Sequence, residues 1–180
     1  MMYKIRPYVK QNILKTLYYS LIYSHLCYGI EVWGNADKIH INRVFTLQKR
    51  AVRVILHKDQ RQQDFSLPAS NPLFIELKFL KIHNIFKLKI TDFIFKCVSD
   101  WHPSNFHSWF KFTSDIHSYN TRSNSTNKLF IPAIRTTHYG LKSIKYNGPK
   151  TWNAIPITIT GKVEYNKFIK NLKEYLITLP

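Results

Sequence analysis

The chemistry open to this chain is bounded first by where its carboxylates fall. Holding two divalent metal ions for phosphoryl transfer requires acidic side chains that converge within a few ångströms, because each Mg²⁺ is bound by hard oxygen ligands. The chain has ten Asp and Glu residues, none adjacent or nearly so, and the closest pair, Asp59 and Asp64, falls in a polar stretch that reads as a loop. Eight histidines are present, but no HxxxH or HExxH spacing occurs, and His102 and His107 share an irregular region with Asp100 and, further on, His117. Cys27 and Cys97 lie on apolar stretches with helical spacing, the surroundings of a structural thiol, and their separation suits neither a disulfide framework nor a zinc knuckle. With five glycines and no Gly-rich loop there is no phosphate cradle either. No catalytic residue, metal site or cofactor is expected from these residue types, and binding is left as the function to explain.

Charge points the same way. The chain of 180 residues carries 27 Lys and Arg against 10 Asp and Glu, a formal +17. Such an excess repels itself and favours a polyanionic partner, nucleic acid first and an anionic membrane surface second. At 44% hydrophobic and 15% aromatic the composition folds, so the charge is displayed on a packed body. The strongest cluster is Arg43, Lys49, Arg50 and Arg53, with His57 beyond them. Taken alone, such a cluster reads as the solvated side of a core helix; the surrounding composition favours phosphate contact. A second group, Arg122, Arg135, Lys142, Lys145 and Lys150, alternates with Tyr139, Tyr146 and Trp152. Basic residues can neutralise phosphates while aromatic faces stack bases. The same aromatics could instead be the core of a small unit, and Trp152 fits that reading better.

These residues must be held by elements that the spacing predicts. On a helix over Asp37–His57, Ile41, Val44, Phe45, Leu47, Ala51, Val52, Val54, Ile55 and Leu56 fall within an arc of roughly 200°, opposite the basic stripe, and Asp37 stands where an N-cap belongs. An earlier helix is predicted over Val9–Tyr28, closed by Gly29, with Trp33 in the link between the two. After a polar break at Lys58–Ser70, Asn71-Pro72 signals helices running to Val98. Trp101–Lys128 is a polar connection; Leu129–Thr136 and Tyr139–Tyr146 read as a β-hairpin turning at Thr137-His138, followed by a helix over Glu164–Thr178. The expected fold is mainly α: a helical bundle over 1–100, a connection over 101–128, and a small α+β tail over 129–180 with a β-hairpin and a C-terminal helix. The longest uncharged run, Thr16–Ile30, is too short and too polar for a membrane span, and the start MMYKIRPYVK has no signal-peptide core. A reduced intracellular setting, no membrane, and a chain entered in mid-protein are expected.

Five runs of residues carry a family resemblance. LKTLYYSLIYSHLCYGIEVWGN (Leu14–Asn35), LQKRAVRVI (Leu47–Ile55), PLFIELKFLKI (Pro72–Ile82), SYNTR (Ser118–Arg122) and GPKTWNAIP (Gly148–Pro156) resemble, in this order, the region after the catalytic palm in LINE-type, non-LTR retrotransposon reverse transcriptases of the jockey-like group. The resemblance implies a fragment of an RNA-directed DNA polymerase whose catalytic acidic residues lie elsewhere, so no catalytic role carries over to any position here. It implies a thumb-like first half tracking a template–primer duplex, with RNA, DNA or an RNA–DNA hybrid as partner and the polymerase palm as a docking surface, and it adds the nucleus as a location. Arg43, Lys49, Arg50 and Arg53, then Arg122 and Lys150, are the expected phosphate contacts. The alternative is a packing module that docks on the palm with no nucleic-acid contact of its own.

Overall fold

The computed structural model describes residues 2–57, 70–116, 128–136, 140–161 and 164–179. The chain divides into two compact units, Met1–Phe86 with Leu176–Pro180, and Lys87–Tyr175.

The first unit is helical. It begins with α1 (Met2–Ile5) and a 3-10 turn, and continues through α2 (Gln11–Leu17), a π-helical segment (Tyr18–Tyr23) and α3 (Ser24–Cys27). The wide turns of the π segment hold a cluster of aromatic rings, in which Tyr18 stacks on Phe79 at 4.3 Å and Tyr19 meets Phe79 edge-on at 5.2 Å. Gly29 ends this run at φ +58°, a left-handed conformation that suits glycine, and α4 (Ile30–Trp33) follows. The indole of Trp33 donates back to the Tyr28 carbonyl at 2.7 Å. Then come α5 (Lys38–Ile55), α6 (Ser70–Leu77) and the first residues of α7 (Ile82–Val98). One apolar cluster holds the unit together, with Leu14 and Tyr18, Ala51, Val52 and Ile55 of α5, Leu73, Phe74 and Leu77 of α6, and Phe79. α6 closes on Lys78 at φ +56°, where the Phe79 N–H reaches the Phe74 carbonyl at 2.9 Å, a C-terminal cap made without glycine.

The second unit contains the remainder of α7, a 3-10 turn (Ser104–Trp109), α8 (Thr113–Ile116), α9 (Ile144–Asn153), α10 (Ile157–Thr160) and most of α11 (Tyr165–Thr178). Its buried residues include Ile90, Ile94 and Cys97 of α7, with Phe110, Leu129, Trp152, Ile155, Phe168 and Leu172. Gly148 is required by close packing: a Cβ there would stand 3.1 Å from both Ile94 Cδ1 and Phe110 Cε1.

The mainly helical class expected from the spacing is the one observed, whereas the β-hairpin of the tail is not formed. Among the described residues no strand is present, and the single β-bridge pairs Phe112 with Leu129. Two local interactions account for the difference. Ser143 accepts from the Lys145 N–H at 3.3 Å and opens α9, so the last three residues of the expected second strand, Ile144–Tyr146, enter a helix. Leu129 meanwhile donates its N–H to Asn153 Oδ1 at 2.9 Å and accepts from Asn153 Nδ2 at 2.8 Å. The side-chain amide thus satisfies the backbone groups that a neighbouring strand would have paired. Asn147-Gly148-Pro149, with its turn-forming residues, lies inside α9. The turn expected at Thr137-His138 and the polar break over 58–69 lie outside the described residues.

Candidate nucleic-acid interface

α5 carries the basic stripe, and its orientation is set by what it buries. Ile41, Gln48, Ala51, Val52 and Ile55 face inward. Leu47, placed by its hydropathy on the core face, is 62% exposed, and its neighbour Gln48 is only 1% exposed. Gln48 donates from Nε2 to the Tyr18 hydroxyl at 2.9 Å and to the Leu80 carbonyl at 2.8 Å, and its Oε1 accepts from the Ile82 N–H at 3.0 Å. Both amide hydrogens and the carbonyl are therefore satisfied, which removes most of the penalty for burying them. The amide ties α5 to the π segment and to the link before α7. Its position was readable: Ile41, Gln48 and Ile55 are seven residues apart and so share one line on the helix. Asp37 occupies the N-cap position, but its side chain makes no capping hydrogen bond; the first turn is closed by its carbonyl, which accepts from His40 at 2.9 Å.

With that face fixed, Arg43 and Arg50 are exposed. They stand about 20° apart around the axis, about 10 Å apart along it, and about 150° from the Gln48 line. Lys49 and Arg53 flank them, each half-buried. The Lys49 ammonium sits 4.8 Å over the Phe45 ring, so its position is held by a cation–π contact one turn back. Arg53 has its Nε sequestered from water with no hydrogen-bond partner among the described residues.

Lys150 belongs to the second unit, exposed on α9, with its ammonium 5.9 Å over the Tyr146 ring, and Lys145 of the same helix sits 4.6 Å over Trp109. Trp152 is buried against Phe168 at 6.1 Å, a core position. Arg122 lies outside the described residues, as do Asp59, Asp64 and His117. Among the described residues no group of three His, Cys, Asp or Glu could hold a metal ion. His107 Nδ1 lies 3.2 Å from Asp100 Oδ1 and its Nε2 lies 2.5 Å from the His102 carbonyl, which ties down the turn after α7. Cys97 is buried, and burial pushes its thiol up to about 11, far from the reactive thiolate range. Among the described residues no helix is long and apolar enough to cross a membrane.

No family model matches this chain, and neither a curated protein nor a solved structure does.

Proposed function

We propose that this chain is a noncatalytic C-terminal piece of a retroelement RNA-directed DNA polymerase, and that it holds a template–primer duplex by the phosphate backbone. The observation that carries the reading is the sorting of α5: a core line through a satisfied Gln48 turns Arg43 and Arg50 outward, with Lys49 and Arg53 beside them. Guanidinium groups bind phosphate through paired N–H donors, and contacts of this kind orient a protein on a duplex without reading its sequence. The resemblance of the five runs to post-palm segments supplies the class of enzyme, and the net charge supplies the attraction.

The test is binding of the full chain to a labelled RNA–DNA hybrid across a KCl series, beside a variant with Arg43, Arg50 and Arg53 changed to Gln. Loss of three phosphate contacts lowers the slope of log K against log salt by about 2 to 3. Equal slopes would reduce the stripe to a solvated face.

A second reading has its own observation. Tyr28 and Val32 of the first unit are 85% and 87% exposed, and Leu47 and Ile39 on α5 also lie open. A packing module that docks on a polymerase palm would present such side chains. It is favoured if the chain binds hybrid weakly at all salt concentrations yet self-associates, with Val32→Ser and Leu47→Ser restoring a monomer in light scattering.

A further inference from the structure

Positive charge is not confined to the unit that carries α5. Residues 87–175 hold fourteen Lys and Arg against five Asp and Glu, a net +9, and the other unit holds thirteen against five, a net +8. On α11, Phe168 and Leu172 are fully buried and fix which way the helix faces. Lys167, Lys170 and Lys173 come at every third position on the other side; the first two are exposed and the third is half-buried. They cover about 120° of arc and about 9 Å of axis.

The carboxylates of this unit are largely engaged elsewhere. Asp92 accepts from Lys96 Nζ at 2.9 Å and from the Tyr165 hydroxyl at 2.9 Å. Asp100 is paired with His107, and Asp115 accepts from the Phe112 N–H at 3.3 Å. Glu174 shares the outer arc of α11, yet among the described residues none of the three lysines forms an ion pair. Three lysines therefore stand in a row on a helix anchored by its own core.

We propose that Lys167, Lys170 and Lys173 form a second phosphate-contact surface, and that the chain takes hold of two nucleic-acid segments, one on each unit. This rests on the reading of the chain as a backbone binder, but not on α5 as the site. Ammonium groups act as point charges without the planar fork of arginine, so the second segment is held through its charge, without base readout.

The test uses the full chain bound to an immobilised RNA–DNA hybrid, washed, and then offered a second, fluorescent hybrid. Wild type captures the second hybrid, and sedimentation in solution gives a complex of two hybrids per chain. Changing Lys167, Lys170 and Lys173 to Gln lowers capture at least tenfold while one hybrid still binds; changing them to Arg retains capture. Capture by the Gln variant equal to wild type overturns the proposal, as does a complex with one hybrid per chain or two chains per two hybrids. If the α5 Gln variant captures like wild type while the α11 Gln variant does not, α5 fails as a site and the lysine surface stands. If the wild type binds no hybrid at any salt concentration, both readings fall together.

Discussion

At Leu47 and Gln48, adjacent residues exchange the places that hydropathy assigns them, and the exchange sets the direction of the basic stripe. Gln48→Leu removes three hydrogen bonds and leaves the Leu80 carbonyl, the Ile82 N–H and the Tyr18 hydroxyl without that partner. The expected loss is about 2 to 4 kcal/mol in urea unfolding, whereas Leu47→Gln changes stability by less than about 0.5 kcal/mol. A larger effect at Leu47 than at Gln48 would show that the helix is rotated from the orientation described. Tyr18 adds a pH dependence. Burial, the largest influence, raises its hydroxyl from 10.0 to about 12, against a smaller opposing effect of the Gln48 hydrogen bond. The unfolded chain thus loses this proton first, so the stabilisation is complete below pH 10 and is lost as the pH rises towards 12. Urea midpoints measured from pH 9 upward should fall through this window, and Tyr18→Phe should flatten the fall. Tyr19 and Tyr23, both also raised by burial, keep it from vanishing.

Among the elements, helices with a wide apolar arc were legible in the sequence, because a period of 3.6 residues leaves a strong pattern over the 18 residues of α5. The basic stripe was legible for the same reason. Gln48 was missed because a polar residue on a core line is read as an exception until its partners are known, and those partners lie 30 to 34 positions away. The hairpin failed differently. Strand-forming residues over Leu129–Thr136 describe an extended backbone, but extended backbone needs hydrogen-bond partners, and at Leu129 the partner is a side chain 24 positions on. Asn153→Ala leaves the Leu129 N–H and carbonyl unpaired and is expected to destabilise the second unit by about 2 to 3 kcal/mol. Asn153→Asp keeps the acceptor and loses the donor, so it should fall between wild type and Ala in thermal unfolding. The row of lysines on α11 leaves no mark in the apolar pattern that signals the helix, because the charge stands at the complementary positions.

For the whole molecule, the governing quantity is +17 on 180 residues, carried by both units. Any polyanion that binds the folded state stabilises it by mass action, by about 2.7 kcal/mol at a hundredfold excess over Kd, and so raises the melting temperature. Added RNA should raise the transition strongly at low salt and hardly at all in molar KCl, where screening acts over about 3 Å. A shift that persists in molar KCl would point to apolar contact instead of charge. The cysteines give this molecule a clock of its own. Cys27 is partly accessible, whereas Cys97 is enclosed on α7 with its thiol held protonated. A maleimide added at neutral pH reaches Cys97 only during moments when the second unit opens. The slow uptake of that label, followed by mass spectrometry with and without hybrid, follows the opening of the second unit and records whether a bound strand keeps it shut.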